Sequence, residues 1–279
     1  MAKPTRSLVE HTDDVVRAFR ALFGTPEAPT HLTGRWLAFF RLTEADQRPF
    51  LRNTLMACLV HDWGKANTGF ANMLARTGAQ TVRHEFVSAL IMTQPQVWSW
   101  LESAQDVDLS LVLGAVAGHH LKAAEPQKKL RSDPGQFGAT QKDSHDADFS
   151  LTWHHPRIRE QLDTLVEEFA IDKTKPEGVP LRWSIELPPG QKRANVRDEG
   201  KKACKLIHRL RDDIEDEPAS PRARMLRAVR SALIAADSAG SGLFRTHEEA
   251  ERTDDVHRHI ESWIAESFDP EASLDEAKV

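Results

Sequence analysis

A chain of 279 residues with 40% hydrophobic and 28% charged side chains has the make-up of an ordinary globular protein, which excludes both a disordered and a membrane-embedded polypeptide. Its formal net charge of −5 excludes the broad basic surface of a non-specific DNA binder, so a nucleic-acid substrate would need local patches. The two cysteines, Cys58 and Cys204, form no CxxC pair; a disulfide framework and a thiolate zinc site are excluded, and any metal must be held by nitrogen and oxygen. No apolar run approaches the roughly 20 residues that cross a bilayer. The opening MAKPTRSLVEHTDD lacks the apolar stretch of a secretion signal. The expected setting is therefore the cytoplasm, with no membrane partner.

In chain order, Ser7 and Glu10 form a capping box, and Leu8, Val15, Phe19 and Leu22 continue a helical stripe to Gly24 with His11 on it. A second helical run, Leu51 to Val60, delivers His61 and Asp62, and Gly64 ends the turn that follows. The next apolar helix carries His84, Val87, Ser88 and Ile91, with Pro95 as a breaker beyond it. Leu109 to Ala117 makes a buried helix ending in Gly118-His119-His120. From Leu121 to about Ser150 the composition turns polar, as in a loop or lid. The Pro- and Gly-containing stretch near 173–200 has room for a short strand at Leu181 to Leu187. Helix resumes by about Val196 and again after Pro221, where Leu226, Val229, Leu233 and Asp237 share a face. The acidic end has one helical patch around Ile260, Trp263 and Ile264 and a tail expected to fray.

Five histidines thus sit at helix ends or on apolar faces together with two aspartates. Burying a lone imidazole or carboxylate costs several kcal/mol unless it is paired or bound to metal, so this many on core-facing stripes need a shared partner. A metal centre supplies one. His61 and Asp62, about 100° apart at a helix end, can both reach one centre, and a carboxylate can bridge two ions. His119-His120 repeats the device. Imidazole-rich ligation with some carboxylate suits Mn²⁺, Fe²⁺, Co²⁺ or Ni²⁺ better than Mg²⁺, which remains possible. Taken singly, His11 or His84 reads as a hydrogen-bonded core histidine and Asp237 as a cap; joint occurrence turns the reading to metal. His154-His155 precedes Pro156 after a polar stretch and reads as surface loop. Trp98, Trp100 and Trp263 read as packing anchors. The basic run Lys192, Arg193, Arg197, Lys201, Lys202, Lys205, Arg209 and Arg211 reads as a charged helix face or a DNA-backbone contact, and Lys122, Lys128, Lys129 and Arg131 allow the same two readings.

The blocks E-H-T-x-x-V at His11, H-D-x-G-K at His61 to Lys65, R-H-E at His84, G-H-H at His119-His120 and A-D-x-x-x-S at Asp237 to Ser241 span most of the chain. In this order they resemble the HD superfamily, and within it the HD nuclease domain of type I CRISPR interference that accompanies the Cas3 helicase. The resemblance implies an all-α HD-domain bundle with loop insertions and at most one short strand pair. It implies an HD unit over residues 1–245, with polar loops near 121–150 and 173–195, and an acidic helix and tail over 246–279. It implies two divalent ions, one held by His11, His61, Asp62 and Asp237 and the other by Asp62, His84, His119 and His120. Asp62 and Lys65 would be the catalytic pair, with Lys65 beside the scissile phosphate, Ser241 as a substrate-side hydroxyl, and Lys128 and Lys129 as further substrate contacts.

The implied activity is metal-dependent hydrolysis of phosphodiester bonds in DNA, chiefly single-stranded, as an endonuclease of antiviral defence. The chain has no GxxxxGK[ST] phosphate loop, so a helicase subunit or domain must supply unwinding, beside an RNA-guided surveillance complex. Its length and polar end fit either a stand-alone subunit or a domain cut from a larger protein. Two other readings stay open: an HD phosphohydrolase acting on nucleotides, and a non-catalytic HD-like module that binds a partner.

Overall fold

The computed structural model describes residues 7–77, 82–120, 149–184 and 194–242. The fold is all-α in its bulk. Helix α1 (Leu8–Phe23) begins with the expected capping box, Ser7 accepting from Glu10 N while the Glu10 carboxylate takes Ser7 N–H, and ends at Gly24. Then come α2 (His31–Phe39), a 3-10 turn (Glu44–Asp46), α3 (Gln47–Val60), a second 3-10 turn (Trp63–Lys65), α4 (Thr68–Leu74), α5 (His84–Met92), α6 (Pro95–Leu101) and α7 (Leu109–Ala117). After residues 121–148 follow β1 (Phe149–Ser150), α8 (Pro156–Phe169), β2 (Arg182–Ser184), β3 (Ala194–Asn195), α9 (Val196–Asp216) and α10 (Pro221–Gly242).

The core is built on four helices: α3 and α10 pack against each other and each against both α1 and α7, with α5 laid against α7 and α8 against α1. Each buries an apolar stripe: Val15, Phe19 and Leu22 from α1, Phe50, Met56 and Leu59 from α3, Val112 and Val116 from α7, Val229 and Leu233 from α10. The crossing of α10 over α1 is close enough to demand a glycine. A Cβ on Gly240 would stand 2.9 Å from the main chain of Asp14 and Val15. That closeness draws Asp237, one turn before Gly240, towards His11.

Several features depart from the sequence reading. Pro95 does more than break α5, since it opens α6 at a first-turn position where its missing N–H costs nothing. Helix α8 was not anticipated, although Pro156 at its start and Ile158, Leu162, Leu165 and Phe169 at helical spacing on its buried face signal it. Within the expected Leu181–Leu187 strand, the described part is Arg182–Ser184. It joins a three-stranded rather than two-stranded sheet, antiparallel to β1 and parallel to β3. The sheet is pinned beside the His61-Asp62 turn: Thr152 N donates to Ala66 O (2.9 Å), Ser150 N to Thr68 Oγ1 (3.0 Å), and Trp153 packs edge-on to Trp63.

The polar segment over 121–148, the basic residues Lys122, Lys128, Lys129, Arg131, Lys192 and Arg193, and the acidic end with Ile260, Trp263 and Ile264 lie outside the described residues. Among the described residues no helix is long and apolar enough to cross a membrane.

Candidate metal centre

All seven expected ligands converge on one end of the four-helix core. His11 comes from the first turn of α1, His61 from the C-cap of α3, Asp62 from the residue after it, His84 from the first residue of α5, His119 and His120 from just beyond α7, and Asp237 from α10. Three groups of side chains each bring their ligand atoms within 4.8 Å of one another: His11, His61 and Asp237; His84, His119 and His120; and His61, Asp62 and His119. The third group joins the first two.

Asp62 is the hinge of this arrangement. Its Oδ2 lies 2.9 Å from His11 Nε2 and 3.3 Å from His61 Nε2, while its Oδ1 lies 3.3 Å from His84 Nε2. Asp237 Oδ1 faces the first of these sides, 3.4 Å from His11 Nε2 and 3.9 Å from His61 Nε2. His84 Nε2 and His120 Nε2 meet at 2.8 Å on the other.

Main-chain carbonyls set the imidazole orientation. Cys58 O lies 2.8 Å from His61 Nδ1 and Val116 O 2.6 Å from His119 Nδ1. A carbonyl only accepts, so each Nδ1 carries the hydrogen and each Nε2 turns a lone pair inward. His11 Nε2, His61 Nε2, His119 Nε2 and both Asp62 oxygens are buried without satisfying hydrogen-bond geometry to any described partner. Buried polar atoms are normally satisfied, and five that face one space with only ion-pair contacts among themselves and to Lys65, His84 and Asp237 fit a cation better than a network of hydrogen bonds.

Electrostatics divide the site. Burial holds the His84 and His119 imidazoles neutral, down to about 3 in each case, with neighbouring positive groups adding to the effect. Burial also lowers His120. His11 moves the other way: burial opposes its charge, but Asp237 and Asp62 outweigh burial and raise it. Asp62 is driven well below the usual carboxylate range, because His61, Lys65 and His11 overcome the desolvation that would raise it. Asp237 is lowered for the same kind of reason, through His11 and His61.

Lys65 and Ser241 lie within the cluster rather than apart from it. The Lys65 ammonium pairs with Asp62 Oδ2, and Ser241 Oγ donates to Asp237 Oδ1 at 3.2 Å. Lys128 and Lys129 are outside the described residues. His154 and His155 are exposed, and the His155 ring caps α8 by accepting from Arg157 N. Lys202, Lys205 and Arg209 are exposed on α9, Lys202 paired with Glu199. Trp100 is buried and donates to Asp172 O, as a packing anchor should.

Sequence reasoning missed three supporting residues. Glu85 is fully buried and pairs with Arg83, its carboxylate 3.7 Å from His84 Nδ1; the R-H-E block contained it without revealing that it turns inward. Arg230 donates from Nε to Gly118 O (2.6 Å), holding the turn that presents His119 and His120. Gln161, on the unanticipated α8, donates to Thr12 Oγ1 beside His11 (2.8 Å).

The family described as "Cas3, HD domain" matches residues 2–242. The chain belongs to the Cas3 HD-domain family. A "Putative CRISPR-associated nuclease/helicase Cas3" of Myxococcus xanthus (strain DK1622) is 30% identical over 211 residues, covering 73% of this chain and 25% of that relative. The chain thus spans about a quarter of that relative's length. HD domains bind divalent metals, and this HD domain carries His/Asp groups able to hold one.

Proposed function

We propose that the chain is a metal-dependent nuclease that hydrolyses phosphodiester bonds of DNA, chiefly single-stranded, during CRISPR interference in the cytoplasm. The HD unit over residues 1–245 would carry the reaction, with the acidic remainder outside it. One observation carries the reading: Asp62 turns its two buried oxygens to opposite sides, one to His11 and His61 and the other to His84. On this reading His11, His61, Asp62 and Asp237 hold one divalent ion, and Asp62, His84, His119 and His120 hold a second. Mn²⁺, Fe²⁺, Co²⁺ or Ni²⁺ suits the imidazole-rich donors, and Mg²⁺ less so.

When bound, two such ions lower the pKa of water and offset charge on phosphoryl oxygens. The residues supply the rest. The Cys58 and Val116 carbonyls keep the His61 and His119 rings turned so that Nε2 faces inward. Lys65, paired with Asp62, would meet a phosphate acquiring charge beside the cluster. Ser241 steadies Asp237 and lies where a substrate phosphate would pass, with Lys128 and Lys129 as further substrate contacts.

Unwinding would fall to a helicase subunit or domain, since the chain has no phosphate loop, and targeting to an RNA-guided surveillance complex. The relative from Myxococcus xanthus, called a nuclease/helicase, supports that division of labour.

The test is metal-stripped protein, refilled with single ions and assayed on circular and linear single-stranded DNA beside dNTPs. Metal-dependent cleavage of the circles is expected, as an endonuclease requires. Activity on dNTPs alone would point to a nucleotide phosphohydrolase, and metal binding with no hydrolysis at all to a partner-binding module.

A further inference from the structure

Ser88 is fully buried in α5, and its single hydroxyl meets main-chain groups of three site residues. It accepts from Gly64 N at 2.8 Å and lies 2.6 Å from His61 O and 3.0 Å from His84 O. A helical serine ordinarily returns its proton to the carbonyl four residues back, here that of His84. The shorter contact goes to His61 O instead. That carbonyl belongs to the C-cap of α3, where the helix no longer supplies a donor. Gly64 brings the two segments together: a Cβ there would stand 1.9 Å from His84 O and 2.7 Å from Ser88 N. One hydroxyl therefore ties the turn bearing His61 and Asp62 to the helix bearing His84.

We infer that Ser88 is a positioning residue whose hydroxyl fixes the separation of His61 from His84, and with it the spacing between the two ligand sets. The inference rests on the two-set reading above. It gives the H-D-x-G-K block a structural reason for its glycine and gives the serine of α5 a role that helix formation does not require. Through this joint, a change at one set reaches the other by main-chain displacement, without any shared side chain besides Asp62.

Thr93 provides the control. Its buried hydroxyl also bonds carbonyls of α5, those of Ala89 and Leu90, and among the described residues hydrogen-bonds no ligand segment. Metal-stripped wild type, Ser88→Ala and Thr93→Val would be titrated with Mn²⁺ and followed by calorimetry and electron paramagnetic resonance. Wild type and Thr93→Val are expected to take two ions and show an exchange-coupled pair. Ser88→Ala should bind its second ion at least about tenfold more weakly and lose or alter the coupling, as loss of an outer support does at metal sites. A Ser88→Ala protein with wild-type affinities and an unchanged coupled spectrum would overturn the inference while leaving the two-set reading intact. Wild type that takes a single ion would overturn both.

Should Ser88→Ala not fold, amide exchange in the wild type gives a second reading. The Gly64 N–H, donated to Ser88, should slow on Mn²⁺ loading by at least about tenfold more than the Thr93 N–H, which bonds within α5. Equal slowing at the two amides would overturn the inference.

Discussion

The two halves of the ligand cluster are built differently. His11 and Asp237 come from within α1 and α10, which cross closely, with His61 at the C-cap of α3, and a carboxylate stands among them. His84, His119 and His120 are all imidazole and come from helix ends, one opening α5 and two following α7. The first half balances charge internally, its carboxylates raising His11 against burial. The second half is kept neutral by burial, with His84 and His119 both near 3. Overlapping ligand sets can therefore differ in kind. One balances charge within itself, and the other is a set of uncharged donors presented at helix ends.

The strongest way to break this comparison is to remove what the halves share. Asp62→Asn should abolish measurable cleavage, a fall of more than about 10³-fold, and release both ions, read by metal analysis beside a nuclease assay. Full metal content with activity retained would mean that Asp62 is not common to the halves. Changing one half at a time sharpens the contrast. Asp237→Asn and His120→Gln should each cost about one ion per chain and roughly 10²-fold or more in rate, with the remaining ion of Asp237→Asn sitting among imidazoles. Lys65→Met should leave metal content intact and slow cleavage by about 10²-fold, because it removes a charge and no ligand.

Smaller effects probe the supports. Arg230→Ala removes the donor on Gly118 O and should weaken metal binding by about tenfold at the His84, His119 and His120 half alone. The smallest effect is a pH dependence of the metal-free fold. His84 and His119 titrate near 3 when folded against about 6.5 unfolded, so between those values the unfolded chain binds more protons. Stability should fall as pH drops from 6.5 towards 3, followed as the melting temperature. His11, raised, acts in a different window: its contribution is complete below about 6.5 and is lost only as pH rises above that value. His119→Gln should flatten the fall.

Much of this was legible in the sequence, for identifiable reasons. The capping box at Ser7 and Glu10, the span Leu109–Ala117 and the face bearing Asp237 follow from local pattern, and the structure has each of them. The seven candidate ligands stood out because each is a polar group on an apolar stripe or at a helix end. Helix α8 was hidden behind the exposed His154-His155 and a Pro156 that reads equally as a turn. What sequence could not give is anything fixed by contact between distant segments. Ser88 looks like any helical serine until His61 O and Gly64 N are placed against it, and Glu85 like any surface acid until Arg83 and His84 enclose it. Arg230 acquires its meaning only from Gly118, more than a hundred residues earlier.

The most direct test of the shared centre is a crystal structure of the Mn²⁺-loaded protein, phased to locate the metal by its anomalous scattering. Two peaks are expected astride Asp62, one on the Oδ2 side with His11, His61 and Asp237, the other on the Oδ1 side with His84, His119 and His120. A single peak, or peaks that leave Asp62 uncoordinated, would contradict the account.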